Sequence, residues 1–367
     1  MQKRHGMPAA QSTAQAVAWC VALLCLPGCG AERVQVLPPS TPDRLVLDPV
    51  RLTADDLVQR LSFFSGPSSA LHSDPGPEEE SIAEANSYLA AHLTSGSGYF
   101  VQISDPHIGG GVDGSPKGFD ALFSRATPVP RFQRVLREIA RLSPLPEFIV
   151  ITGDLSDTGA RQELMQCRDR LPSSGPPIYL VRGNHDADLN TFMHVFGELP
   201  YIDADRAAEA GFCYTFDALG AHFVVLDSET ISPNGAELEW LDGDLAAHAG
   251  QPCVVFGHRH LVHVDPIIEA YLGLAQPYAD DLLGVLGRHA GVGWFFAGHI
   301  HLNSLKALGE LRLATITSTF YDLSDGRCVA PGYAGLFAHL VCLRDGQVQW
   351  VALKEFGEHT RTIWPTG

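Results

Sequence analysis

Basic residues are scarce in this chain. Lys and Arg number 25 against 42 Asp and Glu, a formal net charge of −17 at pH 7. Nucleic-acid affinity rests on neutralising phosphates with Lys and Arg, so a surface this acidic argues against binding a duplex. It leaves small phosphate esters open, because screening over about 8 Å at physiological salt puts local charge in control of a site. No C-x-x-C pair occurs, so the cysteines do not read as a paired thiol or metal motif. No Gly-x-x-x-x-Gly-Lys-Ser/Thr phosphate loop is present, and Ser228 has no His–Asp partners in a nucleophile-elbow setting. P-loop chemistry and serine hydrolysis are therefore not supported. Internal repeats and low-complexity tracts are missing too, and past the N-terminus no segment reads as membrane-spanning.

Of the 367 residues, 45% are hydrophobic, enough to bury one large domain or two smaller ones. Residues 1–29 read as an export signal: Lys3 and Arg4 form a basic head, and Ala14 to Leu26 an apolar stretch too short to stay as a spanning helix. The stretch ends Leu26-Pro27-Gly28-Cys29, which resembles a bacterial lipobox whose Cys29 becomes the lipidated N-terminus. The expected location is outside the cytoplasm, periplasmic or membrane-anchored, with the lipid as the only membrane contact; ordinary signal cleavage would give a soluble periplasmic protein instead. Cys20 and Cys25 leave with the signal. If Cys29 carries lipid, Cys167, Cys213, Cys253, Cys328 and Cys342 remain, an odd number that leaves one unpaired in a monomer.

Residues 30–97 are punctuated by Pro38-Pro39, Ser65-Gly66-Pro67-Ser68-Ser69 and Pro75-Gly76-Pro77, the texture of a tether. Helices are expected at Thr53–Phe64 and Glu78–Leu93, packed on the main domain; a small separate domain is the alternative. From Tyr99 short β-rich runs alternate with amphipathic segments. Strands are expected at Phe100–Ile103, Phe148–Ile151, Ile178–Val181, Phe223–Leu226, Val254–Phe256 and Trp294–Phe296, and helices at Pro130–Leu142 and Leu238–Leu245. Arg312 to Leu353 is mostly strand-like, with Asp345-Gly346 as a hairpin turn. The expected fold is α/β, a four-layer α/β/β/α sandwich of two mixed β-sheets flanked by helices, filling residues 98–356 and followed by a tail at 357–367.

Several clusters of metal-ligand types occur in this chain, and nearly every one of them ends a short apolar run. Asp105-Pro106-His107, Gly153-Asp154, Gly183-Asn184-His185-Asp186, Gly257-His258 and Gly298-His299-Ile300-His301 follow one another along the chain. Asp105 and His107 are two apart, as are His299 and His301, so extended backbone would point each pair the same way. Glycines before Asp154 and Asn184 allow sharp turns that bring those side chains close. Oxygen and imidazole donors together suit Mn, Fe or Zn. Each motif alone is weak; their joint occurrence at strand ends carries the reading.

That order of motifs resembles the calcineurin-like metallophosphoesterases. The resemblance covers roughly residues 99–353, and within it Thr152-Gly153-Asp154-Leu155-Ser156-Asp157-Thr158-Gly159 looks especially like the class III cyclic-nucleotide phosphodiesterase branch. Purple acid phosphatases carry a Tyr ligand soon after Gly-Asp, where this chain has Ser156, Asp157 and Thr158. The resemblance implies two divalent or mixed-valence metal ions. Asp105, His107, Asp154 and His301 would hold the first, and Asp154, Asn184, His258 and His299 the second, with Asp154 bridging. His260 rivals His258, and His263 has no matching position.

The same resemblance implies hydrolysis of phosphomonoesters or phosphodiesters by a metal-bridging hydroxide. His185 is the candidate general acid, with Asp186 orienting its imidazole. Arg182 and Arg259 flank ligands and are candidate phosphate contacts, with surface ion pairing as the plainer alternative. Asp227-Ser228-Glu229 is expected to support the ligands, and the loops Gly109–Pro130 and His263–Pro277 to shape the substrate pocket. The rival reading is a non-catalytic, metal-binding surface lipoprotein.

Overall fold

The computed structural model describes residues 78–109, 128–186, 188–202, 211–229, 235–262, 278–319, 336–357 and 359–365. The signal, the lipobox, the 53–64 helix, Cys328 and the loops 110–127 and 263–277 lie outside them.

Two six-stranded sheets form the centre. In chain order the elements are α1 (Glu78–His92), β1 (Ser97–Ile103), α2 (Pro128–Ile139), β2 (Ile149–Thr152), α3 (Arg161–Arg168), β3 (Ile178–Val181), α4 (Leu189–Phe196), β4 (Tyr214–Ala218), β5 (Ala221–Val225) and α5 (Ala236–Ala247). They continue as β6 (Cys253–Phe256), α6 (Tyr278–Arg288), β7 (Val292–Ala297), β8 (Ser304–Leu308), β9 (Leu311–Thr315), β10 (Leu336–Arg344), β11 (Gln347–Phe356) and β12 (Thr360–Trp364). Sheet 1 runs β12-β11-β10-β1-β2-β3 and sheet 2 runs β4-β5-β6-β7-β9-β8. Both are mixed: β1, β2 and β3 are parallel, as are β5, β6, β7 and β9, with antiparallel strands at the flanks. The expected sandwich of two mixed sheets flanked by helices is what forms. Residues 357–367, read as a tail, contain the edge strand β12, which pairs with β11.

Period-2 alternation explains why two sheets face each other. On β5, Phe223 and Val225 enter the large core while Val224 joins the cluster under α5 and α6; on β6, Val254 and Phe256 face in and Val255 out. Phe100 lies between the sheets, stacked on Phe148 at 4.8 Å and edge-on to Phe223, Phe256 and Phe296. Helix α1 is fixed to sheet 1 by polar contacts as well: the buried Lys354 ammonium reaches the Ser81 carbonyl and Glu84, and Glu84 accepts from the Thr360 amide. The short helices α3, α4 and α6 and the strands β4 and β8 were not anticipated. Yet Leu189, Phe192, Met193 and Phe196 on α4 and Ala279, Leu282, Leu283 and Leu286 on α6 keep helical spacing. Helix α3, which buries Leu164 and Cys167, carries little apolar pattern of its own. Cys167, Cys213, Cys253 and Cys342 are buried free thiols.

His222, at the start of β5, ties sheet 2 to its outer helix. Its Nε2 lies 2.8 Å from Asp244 on α5 and its Nδ1 3.0 Å from Asp217. Burial alone would lower its pKa, but the two carboxylates raise it above the ordinary 6.5. The folded state therefore favours the imidazolium. Its contribution is full below pH 6.5 and disappears as pH rises through the raised folded value. Melting curves of metal-free protein should show this: His222→Phe is expected to flatten the fall in Tm between neutral and alkaline pH, relative to wild type.

Candidate metal centre

All candidate ligands emerge where parallel strands of the two sheets end. Asp105 and His107 follow β1, Asp154 follows β2, Asn184 follows β3, His258 follows β6, and His299 and His301 follow β7. Sheet 1 thus supplies one half of the centre and sheet 2 the other.

The backbone there is not extended. Asp105, His107, Asp154, His299 and His301 have φ between 44° and 68°, and they are five of the seven non-glycine residues with positive φ among the described residues. The i, i+2 rule for strands therefore does not explain why each pair converges. Left-handed turns swing the side chains inward, a conformation that Asp and His tolerate better than most residues and that clusters at functional sites. Neighbouring turns hold these in place. The Asp105 amide donates to the Gly153 carbonyl and the His107 amide to the Asp154 carbonyl, each at 3.0 Å. Thr317 Oγ1 donates to the His301 carbonyl at 2.9 Å, and Ser318 Oγ to the Asp105 carbonyl. Gly153 and Gly183 are glycines for lack of room: a Cβ on the first would overlap the His258 ring, and on the second the Asp154 carboxylate.

Two donor clusters result. In the first, His301 Nε2 lies 3.2 Å from both Asp105 Oδ1 and His107 Nε2. In the second, His258 Nε2 lies 3.0 Å from Asn184 Oδ1 and 3.1 Å from His299 Nδ1. Asp154 Oδ2 faces both, at 3.7 Å from His107 Nε2 and 3.2 Å from His258 Nε2. A cation with bonds of about 2.0–2.2 Å holds adjacent donors roughly 3–4 Å apart, so the separations suit one ion in each cluster. His260 belongs to neither; its ring centroid is 6.2 Å from that of His299.

The electrostatics fit the same purpose. Burial alone would raise the pKa of Asp154, yet His258, His185 and His107 hold it well below the carboxylate range. Burial would lower His258, but Asp154 lifts it to about 10. His299 is pushed well down by burial and by the positive His258 and Arg259, and His301 down by burial. Anionic oxygens and imidazole nitrogens are crowded together out of water with only protons between them. Crowding of that kind is relieved when cations replace the protons.

Two expected roles change. Asp186 does not orient His185: its buried carboxylate accepts from the amides of Leu155, Ser156 and Gly183 and from Ser156 Oγ, bracing the turn after Asp154. Burial and the nearby Asp154 charge push its pKa up to about 6, against the pull of those Ser156 and Leu155 donors. The His185 ring is instead fixed through Nδ1 by the Asp157 carbonyl, and the Asp157 carboxylate lies 3.4 Å from His107 Nδ1. Asp157 was not singled out from the sequence; its position three after Asp154 in the Gly-Asp motif was the available signal.

Arg182 is neither exposed nor free for substrate. It is buried in a two-pronged pair with Asp227, at 2.8 and 3.0 Å, tying the end of β3 to the end of β5. Removing one partner strands the other charge out of water. Arg182→Met is therefore expected to cost about 3–5 kcal/mol in a denaturant titration.

Arg259 does stand at the centre. Glu229 holds its Nε at 2.8 Å, and its Nη1 is 3.2 Å from His299 Nε2. Ser228 Oγ accepts from the amides of His258 and Arg259, fixing this ligand turn as expected.

The profile of the calcineurin-like phosphoesterase family matches residues 98–303, and the chain belongs to that family. It is a phosphoric ester hydrolase by membership. The chain is 26% identical over 211 residues to a probable cyclic nucleotide phosphodiesterase of Moraxella catarrhalis, covering 55% of this chain and 70% of the relative. It is 29% identical over 243 residues to the serine/threonine-protein phosphatase CPPED1 of Rattus norvegicus, covering 57% and 71%. The fold is shared with a dimetal phosphatase from Danio rerio, at a TM-score of 0.54 and 16% identity over 72% of this chain and 98% of that one.

Proposed function

We propose that this chain is a dinuclear metal-dependent hydrolase of small phosphate esters, with phosphodiesters as the favoured class. The observation that carries the reading is Asp154 Oδ2, one carboxylate oxygen facing two separate donor clusters. Asp105, His107, Asp154 and His301 would hold one ion, and Asp154, Asn184, His258 and His299 the other. The mixed oxygen and imidazole set suits Mn, Fe or Zn. When bound, such a pair polarises phosphoryl oxygens and supplies a water of lowered pKa at neutral pH.

The remaining steps fall to the protein's own side chains. His185 Nδ1 donates to the Asp157 carbonyl, which leaves Nε2 to carry the proton that the departing alkoxide takes up. Arg259, steadied by Glu229, places a guanidinium beside the second cluster, where it would bind a phosphate oxygen. The Moraxella relative's name favours a diester. An export signal at residues 1–29 would make the substrate an extracytoplasmic ester, and an acidic chain offers nothing to a nucleic-acid duplex.

The test is a phosphoester panel on full-length protein reconstituted with Mn, Fe or Zn. It should include a chromogenic bis-phosphodiester, glycerophosphodiesters, cyclic nucleotides, monoesters and a phosphopeptide. Turnover of diesters above monoesters is expected. Monoester turnover alone would overturn the diester assignment, and two bound ions with no turnover on any ester would support a metal-binding surface protein instead.

A further inference from the structure

One buried polar side chain lies beneath the centre without touching it. Gln102 on β1 is fully buried, as are its partners Thr152 and His339. Its Nε2 donates to the Ala297 carbonyl and to Thr152 Oγ1, each at 3.0 Å, and its Oε1 lies 2.8 Å from His339 Nδ1. The orientation is forced. A carbonyl can only accept, so the amide nitrogen faces Ala297 and the amide oxygen faces His339, whose Nδ1 must carry the hydrogen. Burial keeps His339 neutral, its pKa pushed down to about 3, so its Nε2 bears a lone pair; that buried nitrogen has no hydrogen-bond partner among the described residues. Thr152, having accepted from Gln102, donates on to the Ile103 carbonyl at 3.3 Å.

An apolar trio would be the simpler filling for this space, which Phe296 already lines edge-on to His339. A buried amide and an imidazole nitrogen without a partner cost stability that Met, Val and Phe would not. Position is what the network supplies. Gln102 sits three residues before Asp105, Thr152 two before Asp154, and Ala297 two before His299. Three strands are thus joined at the last points before they turn into ligand loops, two from sheet 1 and one from sheet 2. The Thr152 carbonyl also holds His258 Nδ1 at 2.7 Å, which presents Nε2 to the second cluster. Among the described residues the two sheets share no strand ladder. The spacing between the halves of the centre is held by ties of this kind, together with the His299 amide on the Asp105 carboxylate and the Thr319 amide on the Ser104 carbonyl at the ligand turns themselves.

We propose that Gln102 is a positioning residue that sets the separation of the two halves of the metal centre, with His339 fixing the direction of its amide. The proposal rests on the dinuclear function proposed for this site. Its test uses full-length protein loaded with Mn(II), comparing wild type, Gln102→Met, His339→Phe and the double variant. Gln102→Met keeps the length and removes both sets of bonds; the double variant also removes the stranded imidazole.

The double variant is expected to melt, metal-free, no lower than wild type. Its affinity for the second Mn and its kcat on a diester should nonetheless fall about 10–100-fold, with KM little changed. The electron paramagnetic resonance spectrum of the coupled Mn pair should change as well. His339→Phe alone should show the same losses in smaller measure, and it decides the matter if the Gln102 variants do not fold. Variants that fold and keep Mn affinity, coupled spectrum and kcat within about twofold of wild type would overturn the proposal. Equally damaging would be a loss in Gln102→Met that the double variant restores together with Tm, since that marks a purely structural residue. A wild type that binds fewer than two Mn overturns the dinuclear reading, and this proposal with it; a two-Mn wild type with unaffected variants overturns this proposal alone.

Discussion

Asp154→Asn is expected to lower kcat for a chromogenic phosphodiester by about a thousandfold, equivalent to losing several kcal/mol of charge stabilisation. The shape of the side chain survives this change, but the charge does not. Asp154 Oδ1 accepts from the His185 amide at 2.8 Å, so an asparagine would keep its oxygen there and turn its NH2 toward both clusters. A donor group would then face two cations. Metal content should drop from two ions per chain to one or none after gel filtration, read by elemental analysis. Melting of the metal-free variant controls for folding, and a variant that keeps both ions and near wild-type kcat would deny Asp154 its shared position.

His185→Ala should separate substrates by leaving group. Esters with alkyl leaving groups need a proton on the departing oxygen, and losing a general acid there costs roughly 10²–10⁴-fold. Aryl esters with acidic leaving groups need it little, so their loss should stay below about tenfold. Equal losses on both would leave His185 as a phosphate contact only. The Asp157 carbonyl, not the Asp186 carboxylate, is the group that orients this ring. Asp186→Asn should consequently act through the turn after Asp154, lowering metal affinity without a leaving-group dependence.

Much of this architecture was legible in the residues. Apolar runs such as Phe148–Ile151 and Val254–Phe256 gave the parallel strands, because strands buried on both faces read as continuous hydrophobic stretches. The ligand types at their ends gave the composition of the centre. What the residues could not give was how the side chains converge: an i, i+2 pair looks the same in extended and in left-handed backbone, and only the fold shows that His107 and His301 use the second. Arg182 and Asp227 are 45 positions apart, so nothing local announced that the arginine is spent on an ion pair. Gln102, His339 and Thr152 were invisible for the same reason. Each looks like an ordinary polar residue in a strand until both sheets are in place.

Anomalous diffraction from crystals of the Mn-loaded chain tests the central claim most directly. Two peaks about 3.5–4 Å apart, both within bonding distance of Asp154 and divided between the His107–His301 and His258–His299 sides, are the predicted result. A single peak, or two peaks that do not share Asp154, would contradict it.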